Sequence, residues 1–473
     1  MEDALEEIED LKKYKADVKT LRQENIRLRT KCEAQAAQIA VLTAQVVAQA
    51  KLIEKFGEEI ARLKKQINAD SSNSSIPPSK DQKPNNVNIY NGREKSGKQS
   101  GGQNGHTGYC LSKSDIERKI ASGSVKHEIK SHGTISESYT SKYIVDVKVE
   151  TIVTEHRFYK GTPIPEEFRH DVQYGNDIKT WAIMLTGRGM VASNRVVELI
   201  EDITTLKLSE GSIYNWMSEF NDKAKTAIEK IETNVLDGHV LSVDGSGTRC
   251  ENKNMYVRNY SNEKSVLYTM NETKGKKAIA ADGILLKYVG AMVHDHDTVY
   301  YNYGTNHGEC NVHIGRYLKA NYEDTKHQWS QDLRSFLNNL NEIRKTAIQN
   351  GVKAFDYEDI QNHRKRYDEL LASGFESNEQ MRSGHFKKTE KTLLNRLKKY
   401  KDNHLLFLEN FAVPFDNNLS ERDLRMIKTK TKVSGCFRSL KFGRIFMNLM
   451  SVIKTAIKQN LSPFNTVREI FAN

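Results

Sequence analysis

Cysteine is scarce in this sequence. The 473 residues hold five (Cys32, Cys110, Cys250, Cys310, Cys436), odd in number and widely scattered. A disulfide framework is therefore not expected to hold the fold, and a reducing cytoplasm is the expected compartment. Long apolar runs are lacking as well. No stretch reads as the ~20 apolar residues of a membrane helix. The acidic, helical N-terminus also lacks the basic region and apolar stretch of a secretory signal, so no membrane partner is expected. Proline is rare, with seven in all and none in 1–68 or 324–405, which leaves long helices in both regions uninterrupted. Acidic residues are outnumbered, 61 against 72 basic ones, for a net charge of +11. That balance points to an anionic partner, with nucleic acid first, because phosphate neutralisation supplies most non-specific DNA affinity. The excess is concentrated: from Glu421 onward there are eleven Lys and Arg against three Asp and Glu. A solvated helix face is the alternative reading of that tail.

What is present divides the chain into seven stretches. Residues 1–68 carry an unbroken heptad seam: Leu11, Tyr14, Val18, Leu21, Asn25 and Leu28, continuing through Ile39, Leu42, Val46, Ile53, Phe56, Ile60 and Leu63. A seam of that period is buried by a partner helix, and Asn25 at a core position favours two strands in fixed register. A parallel, dimeric coiled coil is predicted; a helix folded back on its own domain would use the same stripe. Residues 69–108 are rich in Ser, Asn, Gly, Lys and Gln, with Pro77, Pro78 and Pro84. They read as a basic flexible linker that touches DNA or is a plain tether. Within 109–175, the alternation of Tyr143 to Val149 predicts a small β-rich module. Residues 176–236 read as helical. One helix covers Val196 to Ile203, and Ser209 caps a second that carries Ser212, Tyr214 and Asn215. This is a helix-turn-helix-like arrangement able to enter a major groove, or an ordinary helical hairpin.

From 237 to 323 the pattern is strand-like. His239 to Asp244 reads as a buried strand ending in a carboxylate, Met255–Tyr260 and Ser265–Met270 as two more, and 274–287 as a helix. Tyr288 to Asp295 is a further strand ending in a carboxylate. Three strands, a helix and another strand is the order of an α/β, ribonuclease H-like core. Residues 324–410 are charged and helix-periodic, an α-helical insertion. In 411–473, Asp416 or Asn417 can cap a helix that carries Glu421, and a basic C-terminal segment follows.

Asp244, Asp295 and Glu421 are the candidate catalytic and metal-ligating residues. Phosphoryl transfer on DNA needs attacking and leaving oxygens held in line and their charge offset, which two divalent ions do. Hard ions such as Mg²⁺ or Mn²⁺ take carboxylate oxygens, and two strand-end acids and one helix acid can meet at a point. Singly, each has a plainer explanation: strand-end Asp residues form turns, and a Glu in a first helical turn complements the dipole. Cys310, His313 and Arg316 follow in a Cys-x-x-His-x-x-Arg run. A Cys-x-x-His pair can ligate zinc, but a four-ligand site needs two more partners. Structural or DNA-positioning roles are favoured and zinc is not expected. His294 and His296 flank Asp295 and either tune the site or pack. Trp329 stacks on an unpaired base or packs in a core. Lys428, Lys430 and Lys432 alternate as in an extended segment aimed at phosphates. With Arg422, Arg425, Arg438, Lys441 and Arg444 they make the best candidate DNA track.

Several ordered segments resemble one family. Asn73-Ser74-Ser75-Ile76-Pro77-Pro78-Ser79-Lys80-Asp81 and the Gly-rich run Gly97 to His106 are similar to the N-terminal region of bacterial insertion sequence 66 family transposases. Val243-Asp244-Gly245-Ser246, His294-Asp295-His296, Cys310-x-x-His313-x-x-Arg316, Asp416-Asn417-Asn418-x-x-Glu421-Arg422 and Lys432 to Ser439 are similar to its catalytic segments, in order. The resemblance implies a ribonuclease H-like DDE transposase with a helical insertion before its last acid. It implies cleavage at terminal inverted repeats and strand transfer into target DNA, with Asp244, Asp295 and Glu421 as metal ligands and Asp297 a competitor of Asp295. It further implies a bacterial, nucleoid-associated protein that works as a homodimer or higher oligomer, with accessory proteins of the same element. Two departures stand out. Family members often carry paired cysteines of a zinc module after the Gly-rich run, whereas only Cys110 occurs between 70 and 249. Gly-Ser also follows Asp244 where bulkier or acidic residues are usual. The alternative is a decayed or repurposed transposase that binds DNA without catalysis; a coiled-coil scaffold would have no need of the ordered acids.

Overall fold

The computed structural model describes residues 2–68, 111–134, 137–166, 168 and 170–473. The linker 69–108 with its two family-like segments, and Cys110, lie outside the described residues. The chain forms two compact units.

One unit contains α1 (Glu2–Asn68), residues 316–336 and residues 365–399. The helix α1 is continuous over 67 residues, as a Pro-free heptad sequence dictates. Its seam is open to solvent: Leu28 is 55% and Ile53 71% exposed. Within Leu11–Lys64 it is also long and apolar enough, by length and composition alone, to cross a membrane, which the sequence reading did not anticipate. In the same unit Glu390, on α11 (His385–Lys399), is fully buried. It accepts from Asn321 Nδ2 (3.0 Å), Asn378 Nδ2 (3.0 Å), Trp329 Nε1 (2.9 Å) and His327 Nδ1 (2.9 Å). Burial favours the neutral acid, yet these donors hold the carboxyl below its ordinary range. Trp329 is 2% exposed. It is a core side chain with its N–H satisfied, so the base-stacking expectation is corrected.

The other unit contains the sheet. Five helices lead to it: α2 (Lys113–Ala121), α3 (Asn176–Gly187), α4 (Ser193–Thr204), α5 (Glu210–Lys223) and α6 (Lys225–Leu236). Across 125–160, where alternation predicts strands, none forms among the described residues, and Ile144, Val147, Ile152 and Val153 are exposed. Alternation marks a strand only where a neighbour supplies ladder partners. The strands β1 (Val240–Cys250), β2 (Lys253–Ser261) and β3 (Val266–Asn271) are antiparallel. After α7 (Lys276–Asp282), β4 (Ala291–His294) and β5 (Asn306–Glu309) join parallel to β1, for an order of β3-β2-β1-β4-β5. Thus β1 does not end at Asp244. It continues to a tight turn at Glu251 and Asn252, whose φ values of 51° and 61° suit the twist of a two-residue hairpin.

Helices follow β5 without further strands: α8 (Asn311–Thr325), α9 (Gln328–Gln349), α10 (Tyr357–Gln380), α11, α12 (Lys401–Glu409), α13 (Asn418–Ser434), α14 (Leu440–Lys458) and α15 (Pro463–Ala472). The apolar face of α14, with Phe446, Leu449, Met450 and Ile453, joins the main core beside Tyr268 and Met270. It also serves the edge strand β3: the Val266 and Tyr268 N–H groups donate to Thr455 Oγ1 (3.1 Å) and Ser451 Oγ (3.0 Å). An edge whose donors are satisfied this way is closed to further strands. The sheet and α13 are thereby packed on one core, and the acids sit where they meet.

Candidate active site

Strand register brings the first two acids together. Parallel pairing of β1 with β4 runs through Ser242↔Val293, and two residues further along the same register Asp244 falls opposite Asp295. The third comes from α13, where Glu421 occupies the first turn. Asn417 links the two sources. Its amide does not cap the helix; Nδ2 donates to the Val243 carbonyl at 2.9 Å, one residue before Asp244, and its N–H donates to Cys310 Sγ at 3.3 Å. Asp416 takes the capping contact instead, accepting from the Asn418 N–H at 3.0 Å.

The Cys310–His313 pair belongs to the same cluster. Ligand atoms of Asp295, Cys310, His313 and Glu421 all lie within 4.8 Å of one another. His313 Nδ1 is 3.2 Å from Asp295 Oδ1 and 3.8 Å from Glu421 Oε1. The two further partners that a Cys-x-x-His pair lacks in sequence are thus Asp295 and Glu421, acids from distant segments. Arg316 falls in the other unit. Burial opposes the His313 imidazolium, but Asp295 and Cys310 outweigh it and push its pKa up to about 11. Asp244 is raised to about 7 by burial and then by Asp295 and Glu421, against the Gly245 N–H (2.7 Å from Oδ1) and the Lys428 ammonium. Three carboxyls within electrostatic reach leave one of them reluctant to ionise. Asp297 faces elsewhere: Lys274 Nζ lies 2.8 Å away and the Val299 N–H donates to it, holding it low in spite of burial. Asp295, not Asp297, stands with Glu421.

Behind Asp295 lies a buried polar layer. His294 is fully buried; its Nδ1 contacts the Asp295 carbonyl and its Nε2 lies 3.1 Å from His307 Nδ1. Burial lowers its pKa, so the ring is neutral at pH 7. His296 Nδ1 lies 2.7 Å from the buried Glu309 carboxylate, which also meets Tyr301 and His404. The flanking histidines therefore pack and brace. Sequence reading missed Glu309, His307, His404 and β5 itself, a four-residue strand of polar Asn306-His307-Gly308-Glu309 with no alternation to find.

The sequence pattern of the transposase IS66 family matches residues 172–445, more than half of the chain, and includes every residue of this cluster. The chain belongs to that family. A second pattern, of a family of unknown function (DUF6444), matches residues 7–111. No curated protein matches the chain. As an IS66 family transposase this is a DNA-binding, DNA-processing protein, and the basic residues can be placed with DNA in mind. The segment 428–432 is not extended: α13 runs to Ser434 and ends at Gly435, whose φ of 72° reverses the chain. Lys428 and Lys432 share one exposed face at i,i+4. Lys430 turns inward, 8% exposed, with its ammonium 5.5 Å from the Phe446 ring centroid and its pKa lowered by burial; its place in the DNA track is corrected. Arg422, Arg425, Arg438, Lys441 and Arg444 are exposed. Of the candidate DNA-reading residues Ser212, Tyr214 and Asn215 in the α4–α5 hairpin, only Asn215 is exposed. Ser212 gives its N–H to the Ser209 cap at 3.1 Å, and Tyr214 lies edge-on to Phe442, centroids 5.2 Å apart.

Proposed function

We propose that this IS66 family transposase cleaves DNA at the ends of its element and joins the freed strand to target DNA, using Asp244, Asp295 and Glu421. The observation that carries this reading is that ligand atoms of Asp295, at the end of β4, and Glu421, in the first turn of α13, lie within 4.8 Å of one another, with Asp244 of β1 opposite Asp295 in register and within electrostatic reach of both. The β3-β2-β1-β4-β5 order with a helical insertion before α13 fits a ribonuclease H-like catalytic core. The residues suit hard divalent cations: Glu421 Oε1 is buried with no hydrogen-bond partner, and Asp244 is held above its ordinary pKa by burial and by the Asp295 and Glu421 carboxyls, a concentration of negative charge that a cation would offset. Mg²⁺ or Mn²⁺, two ions in the full site, would supply Lewis-acid stabilisation of the attacking and leaving oxygens.

The protein's own residues have separate tasks. Asp244, Asp295 and Glu421 provide negative charge at one point. His313 as an imidazolium offsets the charge of Asp295 and Glu421. Lys428, beside Asp244, and the exposed Lys432, Arg422 and Arg425 face phosphates and hold the backbone without reading sequence. The test is strand transfer with pre-cut element-end DNA and Mg²⁺ or Mn²⁺. Asp244→Ala, Asp295→Ala and Glu421→Ala are each expected to lose activity by roughly 10³-fold or more while retaining DNA binding. Asp297→Ala is expected to keep most of it. Wild-type turnover in any triad variant removes that residue from the assignment.

A further inference from the structure

Asn259 is fully buried on β2, directly across the antiparallel ladder from Asp244. Opposed residues of such a pair project to the same face, so its amide stands beside the Asp244 carboxyl, on the side of α13. A buried primary amide in a central strand is costly unless every group is satisfied. Here the partners belong to α13. Asn259 Nδ2 donates to the Ser420 carbonyl (3.0 Å), and Oδ1 accepts from the Ser420 hydroxyl (2.7 Å). Ser420 immediately precedes Glu421. Nδ2 also donates to Ser261 Oγ (3.1 Å), which donates to Asp423 Oδ2 (2.9 Å), itself paired with Lys458 at 2.8 Å. The first turn of α13 is thus gripped at residues on both sides of Glu421.

We propose that Asn259 is a positioning residue that sets the separation of the Asp244 and Glu421 carboxyls, and through it the cation affinity of the cluster. The two-point bond to Ser420 fixes both the rotation and the height of the helix end over the strand. Apolar packing would hold α13 to the sheet without desolvating Asn259, Ser261, Ser420 and Asp423. What the polar network adds is a single geometry. The proposal rests on the reading that these acids hold a divalent ion, and the experiment separates the two.

The experiment is a Mn²⁺ titration of the full chain followed by electron paramagnetic resonance, with melting of the metal-free protein in parallel. Asn259→Leu keeps the branched shape and removes both bonds to Ser420; Ser420→Ala removes one. Asn259→Leu is expected to weaken Mn²⁺ binding about tenfold or more, the range for lost supporting contacts around metal ligands. Ser420→Ala is expected to weaken it less and to add little in the double variant, because both act through one contact. Folded Asn259→Leu and Ser420→Ala with wild-type Mn²⁺ affinity, whether or not melting falls, overturn the proposal. If wild type binds Mn²⁺ and Asp244→Ala does not, wild-type affinity in Asn259→Leu and Ser420→Ala removes the clamp and leaves the metal reading standing. If wild type and Asp244→Ala both fail to bind, the metal reading falls and takes the clamp with it.

Discussion

At the scale of single residues, the cluster's most telling property is the proton on Asp244. Burial, Asp295 and Glu421 lift its pKa to about 7, while in the unfolded chain it titrates near the ordinary value of about 3.9. The folded state therefore holds a proton that the unfolded state has released anywhere between those values. The stability that Asp244 contributes to the metal-free protein is lost as pH rises through that window, by at most about 1.4 kcal/mol per pH unit. His313 acts in the same direction but later: its folded pKa is raised to about 11, so the stability it contributes is lost only above the unfolded value of about 6.5. Between about pH 4 and 6.5 His294 and His307, whose pKa values burial lowers (His307 to about 4), contribute the opposite slope, so the Asp244 share is the difference between wild type and a variant that cannot ionise there. Asp244→Asn, which cannot ionise, is expected to lose that falling contribution, so that its stability changes more positively with pH than that of wild type. Melting curves in chelator across that range check this. The same pH dependence in the variant as in wild type would place the buried proton on another group.

At the scale of elements, α13 shows what a sequence does and does not disclose. Lysines at 428, 430 and 432 have a period of two, which reads as an extended basic strip. Leu424, Ile427 and the buried side of Lys430 follow the helical period instead, and packing against the core decides between the two. The consequence is a split among the lysines. Lys428→Ala and Lys432→Ala are each expected to weaken DNA binding and to reduce its salt dependence by about one counterion. Lys430→Met, which keeps the buried stem beside Phe446, is expected to leave both unchanged. Binding isotherms over a salt series distinguish them, and a loss from Lys430→Met equal to that from Lys428→Ala would contradict the inward placement. Other elements divide along the same line. The strands of 240–270, α1, the helices of 176–236 and those within 324–410 were legible because periodicity reports burial of a face. The positions of the candidate acids were legible because Asp244 and Asp295 each follow an apolar strand segment and Glu421 stands at a helix start. Asn259, Glu309 and the partners of Cys310 were not, since their meaning lies in register and in contacts between segments more than a hundred residues apart for Asn259 and Ser420. The alternation over 125–160 misled for the opposite reason, being a strand pattern with no strand beside it.

At the scale of the whole molecule, the open question is what covers α1. A 67-residue helix with its heptad seam exposed leaves a continuous apolar stripe in water, which monomeric soluble proteins avoid. A second copy of the chain is the occupant that fits. The seam keeps its register for the length of the helix, and Asn25, Gln35 and Gln49 lie on it. Polar side chains at core positions are tolerated between two helices and select a two-stranded register, whereas in hydrocarbon each carries a penalty. The length and composition of Leu11–Lys64 also satisfy a membrane helix, so the two occupants make different predictions. The full chain is expected to run as a dimer in light scattering without detergent, and removal of residues 1–68 to halve its mass. Asn25→Val is expected to leave it associated but to admit higher oligomers, because the register-fixing polar contact is gone. A dimer that survives truncation would move the interface off α1. Full-length protein that floats with lipid vesicles while the truncated form does not would give the seam to the bilayer.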